Sequence, residues 1–319
     1  MKNTTPHKQV ALVGSISAKE KNSWLDKINP LVVDAEVIDF EKLSPTQRLN
    51  IEVAIVANPD PEQLAKLPNL RWVQSLWAGV ERLVAELPNA NFKIVRLVDA
   101  NLASTMAEAV VAWTFYCHRD MPKYLQQQKQ RLWQPHDLVD IKDRHIGVLG
   151  LGQLGQASVE KLRANGFNVS GWSRRLANIE GVECFNGARG LDALLAKSDI
   201  VICLLPLTIE TQHLLDHQKL SLLPQGAAII NFSRGPIIDD NALLAHLKTR
   251  HIDHAVLDVF DIEPLPSNSA LWSSENITIL PHISAPTNFR TASKIVANHL
   301  MAYFDCGKIP EALDRSRGY

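Results

Sequence analysis

A glycine-rich turn between short apolar runs constrains the fold of this chain more than any other feature. The pattern G-x-G-x-x-G at residues 150–155 follows a β-type run and opens a helix-type run, and a second β-type run comes after Gly166. Without Cβ atoms the backbone can turn tightly and approach a pyrophosphate, whose charge the N-terminus of a helix favours. The pattern therefore predicts a dinucleotide-binding unit, and the alternative is a plain turn between a buried strand and helix. The candidate cofactor-binding residues are Gly150, Gly152, Gln153, Leu154 and Gly155.

Short β-branched runs alternate with helix-type patterns along the chain, which is typical of parallel α/β architecture. With 319 residues, 46% of them hydrophobic, the chain is long enough for two domains that each bury a core. We expect two Rossmann-like or flavodoxin-like parallel-sheet domains with an active-site cleft between them. Residues 102–285 would form the NAD(P)-binding domain, and residues 1–101 with 286–319 the substrate-binding domain. Strands are predicted at residues 10–13, 36–40, 53–57, 72–76, 93–98, 145–149, 168–172, 200–204, 227–232, 255–258 and 278–280, and helices at 62–67, 80–87, 103–131 with a break near Pro122, and 287–304.

The end of the second strand after the glycine turn predicts which dinucleotide binds. A site that prefers NAD places Asp or Glu there, about 20 residues after the glycines, to hold the ribose 2′-hydroxyl. Here the sequence is GWSRR at 171–175, and no carboxylate comes before Glu180. Ser173 can hydrogen-bond a 2′-phosphate, and the guanidinium forks of Arg174 and Arg175 suit its geometry and charge. We therefore expect NADPH, with NADH binding more weakly, unless both arginines are merely solvated and the site accepts either cofactor.

Charge and composition exclude several other classes of function. Lys and Arg total 33 against 34 for Asp and Glu, so the composition supports no nucleic-acid partner. The longest apolar stretch, residues 200–207, is far shorter than the roughly 20 residues of a membrane span, and the first ten residues lack an apolar signal core. We expect no membrane partner and a cytoplasmic location. The four cysteines are expected to be reduced thiols. The histidine pairs His213/His217 and His251/His254 have no nearby third ligand at metal-site spacing, so no bound metal is expected.

Three polar residues follow predicted strands in the second half of the chain: Arg234, Glu263 and His282. The carboxyl ends of strands in an open α/β sheet are where ligands bind. Reduction of a 2-oxo acid needs a cation for the carboxylate, a proton donor for the carbonyl oxygen, and a hydride. Arg234 suits the first role and His282 the second, and Glu263 would orient and charge the imidazole. Each residue singly has an ordinary structural explanation, and sequence spacing does not establish that the three meet.

Six segments together resemble the D-isomer-specific 2-hydroxyacid dehydrogenases over nearly the whole chain. They are WAGVE (77–81), GVLGLGQLG (147–155), LLPLTIET (204–211), NFSRGPIIDDNALL (231–244), LDVFDIEPLP (257–266) and PHISAPT (281–287). Within that family the chain is most similar to the glyoxylate/hydroxypyruvate reductase A subgroup. The features specific to that subgroup are WQP at 133–135, WSR at 172–174 and the tail DRSRGY at 314–319.

The resemblance implies particular roles for residues that match the family motifs. It implies that Arg234 clamps the substrate, that His282 is the general acid/base, and that Glu263 is its partner. It also implies that Asp258 contacts the nicotinamide carboxamide and that Leu205 and Pro206 line the cofactor cleft. In the substrate loop that contains Trp77, the backbone amides of Ala78, Gly79 and Val80 would grip the substrate carboxylate. Members are typically homodimers built through a helical arm, here about residues 102–140.

Two departures from the family pattern concern substrate size. The family commonly has Gly at the position of Ser284, and Trp77 is a bulky residue in the substrate loop. Neither departure removes a catalytic group. We therefore expect NADPH-dependent reduction of small 2-oxo acids, glyoxylate to glycolate and hydroxypyruvate to D-glycerate. The alternatives are another dehydrogenase of the family, acting for example on phosphoglycerate, D-lactate or formate, and a non-catalytic dinucleotide-sensing binding protein.

Overall fold

A computed structural model describes residues 8–314, and the chain divides into two compact units. Unit 1 comprises Met1–Asn101 and Thr287–Tyr319, and unit 2 comprises Leu102–Pro286. In chain order the strands are β1 (Lys8–Gly14), β2 (Ala35–Asp39), β3 (Val53–Ala57), β4 (Trp72–Ser75), β5 (Lys93–Val95), β6 (His145–Leu149), β7 (Asn168–Trp172), β8 (Glu183–Phe185), β9 (Ile200–Cys203), β10 (Ala227–Asn231), β11 (Ile252–Leu257) and β12 (Ile277–Ile279). The helices are α1 (Ala18–Ile28), α2 (Pro45–Arg48), α3 (Pro61–Ala65), α4 (Glu81–Glu86), α5 (Ala100–His118), α6 (Met121–Gln130), α7 (Gln153–Ala164), α8 (Gly187–Leu195), α9 (His217–Leu220), α10 (Asp240–Lys248) and α11 (Phe289–Cys306).

Unit 1 is built on a five-stranded parallel sheet with the strand order β2-β1-β3-β4-β5, which is the flavodoxin-like order. The central strand β3 is buried along its whole length, as expected for a parallel sheet covered on both faces. One face packs against α1 and α11, where Trp24 and Tyr303 belong to the core, and the other face has its own core around Phe40 and Ile51. The C-terminal helix α11 thus completes a unit that the first hundred residues begin.

Unit 2 is built on a seven-stranded parallel sheet with the order β12-β11-β10-β9-β6-β7-β8. The chain runs outward from β6 through β7 to β8, and then returns to place β9 on the other side of β6. This reversal makes the end of β6 the topological switch point, where ligands bind in doubly wound sheets. The glycine turn lies directly after β6, so the topology places the candidate cofactor-binding residues at that point.

The prediction of an α/β fold with two parallel sheets is confirmed. The bounds of β3, β6 and β7 are those predicted, and each strand is followed by a residue common in turns, Asn58, Gly150 and Ser173 respectively. The strand predicted at 93–98 is shorter, since pairing with β4 stops at Val95. The predicted helical arm divides before Pro122: α5 ends at His118, Asp120 has a left-handed φ of 53°, and Pro122 lies in the first turn of α6, where proline is tolerated.

The sequence patterns did not predict α1, α2, β8, α8, α9 and α10. Helix α1 buries only Trp24 and Ile28, so its apolar periodicity is weak, although the capping box between Ser17 and Glu20 marks its start. Strand β8 is a three-residue edge strand, too short to give a period-2 pattern.

Among residues 8–314 no helix has the length and apolarity that a membrane crossing requires. Residues 315–319 of the DRSRGY tail lie outside the described part of the chain.

Candidate active site

The three glycines of the turn after β6 have three different structural roles. Gly150 has a φ of +102°, which L-residues with side chains rarely adopt, and a Cβ there would lie 2.7 Å from the carbonyl oxygen of Leu204. A Cβ on Gly155 would overlap the carbonyl oxygen of Gly150, so Gly155 lets α7 pack closely on the turn. A Cβ on Gly152 would meet no atom within 4 Å. The second glycine is therefore not needed for packing, and its open side leaves room for a ligand against the backbone.

The start of helix α7 offers hydrogen-bond donors to that open space. Gly152 is the N-cap, and no side chain hydrogen-bonds to this helix end. The first N–H groups of a helix, here those of Gln153 and Leu154, have no partner within the helix and carry the positive end of its dipole. Free donors, positive potential and open space together fit the pyrophosphate of a dinucleotide. The residues present therefore fit the cofactor that the glycine pattern predicts.

The turn after β7 presents a hydroxyl and two guanidinium groups. The Ser173 hydroxyl donates to the carbonyl oxygen of Arg175 at 2.6 Å, and both arginine side chains are exposed. Arg174 Nη1 lies 3.9 Å from Oε2 of Glu210, which belongs to the loop after β9. The sequence 171–175 contains no carboxylate that would repel a 2′-phosphate. The turn thus has the charge and the donors for a phosphate group.

The loop after β9 packs directly on the glycine turn. The N–H of Leu204 donates to the carbonyl oxygen of Leu149 at 2.8 Å, and Leu205 is buried. The carbonyl oxygen of Pro206 accepts a hydrogen bond from the Thr211 hydroxyl at 2.7 Å, which closes the loop. The structure therefore brings Leu205 and Pro206 next to the candidate cofactor turn, and their contact with a cofactor stays a prediction.

His282 and Glu263 form a direct pair. Nδ1 of His282 lies 2.8 Å from Oε2 of Glu263, and Oε1 of Glu263 accepts the N–H of Phe260 at 3.0 Å. The hydrogen bond that Glu263 accepts from His282 raises the pKa of His282 above its ordinary value, against the opposing effect of burial. Burial raises the pKa of Glu263, but the hydrogen bonds from His282 and Phe260 outweigh that effect and lower it. The pair therefore favours a charged imidazolium beside a carboxylate, with Nε2 left to carry a proton.

Arg234 lies close enough to this pair for its charge to act on both members. The Arg234 charge acts to lower the pKa of Glu263 and that of His282. In each case it is the smallest of the effects, after the hydrogen bond within the pair and burial. Nη1 of Arg234 donates to the carbonyl oxygen of Ser233 at 2.6 Å. A Cβ on Gly235 would overlap the backbone of Phe260, so the segment that carries Arg234 packs against the segment that leads to Glu263. The structure thus brings together the three residues that sequence spacing could not place.

Asp258 anchors the segment that carries His282. This carboxylate is buried, and its two oxygens accept the N–H groups of Ile283 at 2.7 Å and Ser284 at 2.9 Å. His282 itself has a left-handed φ of 55°, a conformation that needs such support from its neighbours. The predicted contact between Asp258 and a nicotinamide is not tested, but its hold on the His282 segment is a second role that the sequence pattern did not predict.

The sequence reasoning also missed Asn231 and Gly235, which shape the segment around Arg234. Asn231 is buried at the end of β10, and its side chain hydrogen-bonds to Ser233 and Arg234. A polar residue that ends an otherwise apolar strand is the signal that could have singled it out, because buried amides need partners. For Gly235 the neighbouring segment is far away in sequence, and no local signal exists.

The predicted substrate loop belongs to unit 1, where it follows β4. The N–H of Trp77 donates to the Ser75 hydroxyl at 3.0 Å, and its carbonyl oxygen accepts the N–H of Leu97 at 3.0 Å. Ala78 and Gly79 are partly exposed and Val80 is buried at the start of α4. These contacts fix the loop within its own unit. The assignment of Trp77, Ala78, Gly79 and Val80 to substrate binding stays a prediction.

The histidines at 217, 246 and 254 contact other side chains of unit 2. His217 stacks on His246 with ring centroids 4.5 Å apart, and His254 hydrogen-bonds to the Thr278 hydroxyl at 2.9 Å. Between residues 8 and 314, no group of three or more His, Cys, Asp or Glu side chains is arranged to hold a metal ion. The four cysteines are free thiols, of which Cys203 is buried.

Comparison with known proteins gives the family. Residues 111–284 match the family model described as D-isomer specific 2-hydroxyacid dehydrogenase, NAD binding domain. The chain is 35% identical to glyoxylate/hydroxypyruvate reductase A of Yersinia enterocolitica, over 94% of this chain and 97% of that protein. A D-isomer specific 2-hydroxyacid dehydrogenase from Xanthobacter autotrophicus, solved in complex with NADPH and MES, is 33% identical with a TM-score of 0.90, covering 98% of this chain and all of that one. An NADPH-dependent glyoxylate/hydroxypyruvate reductase from Sinorhizobium meliloti, solved with NADP and sulfate, is 30% identical with a TM-score of 0.89 and the same coverage. The chain belongs to the D-isomer specific 2-hydroxyacid dehydrogenases and is an oxidoreductase.

Proposed function

We propose that this chain reduces small 2-oxo acids with NADPH, converting glyoxylate to glycolate and hydroxypyruvate to D-glycerate. The observation that carries the proposal is the grouping of Arg234 with the Glu263–His282 pair after the strands of unit 2. A guanidinium binds a carboxylate, and an imidazolium held by a carboxylate donates a proton. Relatives named glyoxylate/hydroxypyruvate reductase support the choice of substrates.

The proposed mechanism assigns one task to each side chain. Arg234 binds the substrate carboxylate through its guanidinium fork and so turns the C2 carbonyl toward His282. His282 donates its Nε2 proton to the carbonyl oxygen while the hydride arrives at C2, so that the carbonyl becomes an alcohol. A reduced nicotinamide cofactor supplies that hydride when it is bound. Glu263 holds the imidazole by Nδ1 and stabilises its charged form until the proton leaves.

We propose NADPH rather than NADH as the preferred cofactor. The turn at Ser173, Arg174 and Arg175 offers a hydroxyl and two cations and lacks the carboxylate that would hold a ribose 2′-hydroxyl. Relatives from Xanthobacter autotrophicus and Sinorhizobium meliloti were solved with NADPH or NADP. In this proposal Gly150, Gly152, Gln153, Leu154 and Gly155 surround the pyrophosphate. NADH binds the same turn without the contacts to the 2′-phosphate.

We also propose that the chain forms a homodimer through residues 102–140. This arm leaves several apolar side chains exposed, including Met121, Leu125, Leu132 and Leu138, and Trp133 is fully exposed. A group of exposed apolar residues of this kind is typical of a surface that another protein covers. Sedimentation velocity of the wild type and of Trp133→Ala with Leu138→Ser tests it. A dimer that dissociates in the double variant is expected, and a monomeric wild type would contradict it.

The proposed activity is tested by kcat/KM for glyoxylate and hydroxypyruvate with NADPH and with NADH, followed by the absorbance of the reduced cofactor. We expect turnover of at least one acid and a clear preference for NADPH. Turnover that favours NADH would leave the roles of Arg234 and His282 standing and refute the cofactor assignment. Tight NADPH binding without turnover of any small 2-oxo acid would refute the activity and favour a sensing protein.

A further inference from the structure

Asn231 lies at the point where the segment that carries Arg234 leaves the sheet. It is the last residue of β10, and only 1% of its surface is exposed. Its Oδ1 accepts two hydrogen bonds from Ser233, from the N–H at 3.1 Å and from the hydroxyl at 2.8 Å. Its Nδ2 donates to the carbonyl oxygen of Arg234 at 3.0 Å. One side-chain amide therefore fixes the backbone on both sides of the Arg234 side chain.

The backbone of Asn231 reaches the segment that carries His282. Its carbonyl oxygen accepts the N–H of Asp258 at 3.1 Å. The Asp258 carboxylate in turn accepts the N–H groups of Ile283 and Ser284, directly after His282. The side chain of Asn231 thus acts on the arginine segment alone, because the path to His282 runs through backbone atoms that a substitution leaves in place.

The chemistry of this position calls for an amide. The side chain must accept an N–H and donate to a carbonyl oxygen, and among side chains of this length only Asn provides both groups in a fixed geometry. Asn also bonds readily to the backbone two residues further on, which is the geometry of an Asx turn. The rotamers open to a side chain depend on its backbone angles, so a fixed backbone at Arg234 limits the directions its guanidinium can take.

We propose that Asn231 is a positioning residue for the reduction, whose side-chain amide aims the Arg234 guanidinium at the substrate carboxylate. The inference rests on the proposed role of Arg234 as the carboxylate clamp. It assigns to Asn231 no contact with the substrate or the cofactor. Its effect on catalysis is therefore expected to disappear when Arg234 is absent.

The first test replaces Asn231 with Ala and compares it with Asn276→Ala. Asn276 is also buried, and its Oδ1 accepts one side-chain hydrogen bond, from Gln126 at 2.9 Å. It lies directly before β12, at the amino ends of the strands, whereas Asn231 lies at the carboxyl end of β10. For Asn231→Ala we expect KM for glyoxylate to rise and kcat/KM to fall about tenfold or more, since one misplaced bond to a charged group costs at least 1.4 kcal/mol. The dissociation constant of NADPH, measured by fluorescence, should be unchanged. Asn276→Ala should lower the melting temperature without raising KM.

A double-mutant cycle with Arg234→Ala decides whether the effect passes through the arginine. We expect kcat/KM for glyoxylate in the Asn231→Ala and Arg234→Ala double variant to equal that of Arg234→Ala alone, to within about twofold. If the losses of kcat/KM from the two substitutions multiply, or if Asn276→Ala loses as much kcat/KM as Asn231→Ala, the inference is overturned. An active wild type would still leave the proposed function intact. A wild type that reduces neither glyoxylate nor hydroxypyruvate would overturn both.

A second variant covers the case in which Asn231→Ala does not fold. Asn231→Asp has nearly the same shape and keeps the acceptors for Ser233, but it places an oxygen opposite the carbonyl oxygen of Arg234. It should therefore raise KM for glyoxylate as Asn231→Ala does, and wild-type KM in Asn231→Asp would overturn the inference.

Discussion

The glycine turn and the catalytic segments both follow strands of the same sheet in unit 2, but they are held in different ways. Six consecutive residues, 150–155, make the glycine turn, and close backbone packing fixes its shape. The side chains proposed to be catalytic, Arg234, Glu263 and His282, come from segments after β10, β11 and β12. Hydrogen bonds hold those segments: the Asn231 amide donates to Arg234, the Asp258 carboxylate accepts from Ile283, and the Glu263 carboxylate accepts from Phe260. One part of the site is thus local and steric, and the other is long-range and polar.

The difference predicts how each region fails. A side chain added in the glycine turn either overlaps the backbone, at Gly150 or Gly155, or fills the open space at Gly152. It should therefore act on packing in the first case and on cofactor binding in the second. A substitution in the catalytic segments removes a charge or a donor, so it should act on turnover while the fold and the cofactor site persist. Variants that separate these outcomes therefore test whether the two regions are independent.

The largest expected effect is on turnover, in His282→Ala. Without the imidazole, no group with a near-neutral pKa donates a proton to the carbonyl oxygen, and kcat should fall by about 10²–10⁴-fold. The dissociation constant of NADPH should stay at its wild-type value, because the glycine turn is untouched. Steady-state rates and fluorescence titration check both expectations. Near-wild-type turnover would remove His282 from the mechanism.

A pair of glycine variants gives the next largest effect and separates packing from binding. The Cβ of Gly155→Ala would overlap the carbonyl oxygen of Gly150, so unfolding free energy should fall by about 1–3 kcal/mol. The Cβ of Gly152→Ala meets no protein atom within 4 Å, so that variant should keep its melting temperature and bind NADPH more weakly. Thermal unfolding with and without NADPH measures both quantities. Equal loss of melting temperature in the two variants would contradict the distinction.

The smallest expected effect concerns the choice between cofactors. Arg174→Ala removes one exposed cation from the turn after β7. The dissociation constant of NADPH should rise about tenfold, or about 1.4 kcal/mol, while that of NADH hardly changes. The control is Arg82→Ala, which removes an exposed arginine of unit 1 that pairs with Glu86 at 2.6 Å. Titration of both cofactors into each variant checks the prediction. An equal loss for NADPH and NADH would assign Arg174 to packing.

The fold could be predicted well from the sequence because its signals are local. The strands at 53–57, 145–149 and 168–172 are closed by turn residues, and the alternation of strand and helix allows little but a parallel sheet. The missed helix α1 shows the limit of periodicity, since a helix that buries two side chains leaves a faint pattern. The order of the strands in each sheet was not predicted, because pairing is decided by contacts distant in sequence.

The site could be predicted only in part. The identities of Arg234, Glu263 and His282 follow from polar residues placed after strands, and the structure brings these three together. Two residues that hold them were missed. Asn231 bonds to Ser233 and Arg234 close by in the chain, so a polar residue at the end of an apolar strand was the available signal. Gly235 packs against Phe260, which is distant in sequence and leaves no local signal. The roles of the substrate loop at 77–80, the homodimer, the cytoplasmic location and the absence of a nucleic-acid partner stay predictions.

In the proposed mechanism Glu263 keeps His282 protonated, so that His282 can donate a proton to the carbonyl oxygen of the substrate. Because the hydrogen bond to Glu263 raises the pKa of His282, the protonated form persists to higher pH than in an isolated histidine. Reduction should therefore lose rate as pH rises through that raised pKa. Glu263→Gln keeps a hydrogen-bonding group but removes the charge, so the pKa should fall and the loss of rate should begin at lower pH.

The most direct measurement is the pH dependence of kcat/KM for glyoxylate in the wild type and in Glu263→Gln at saturating NADPH. We predict that the alkaline loss of rate lies above pH 6.5, the ordinary value for histidine, in the wild type and moves to lower pH in the variant. Profiles that coincide, or an alkaline limb that persists unchanged in His282→Ala, would show that another group donates the proton and would contradict the account.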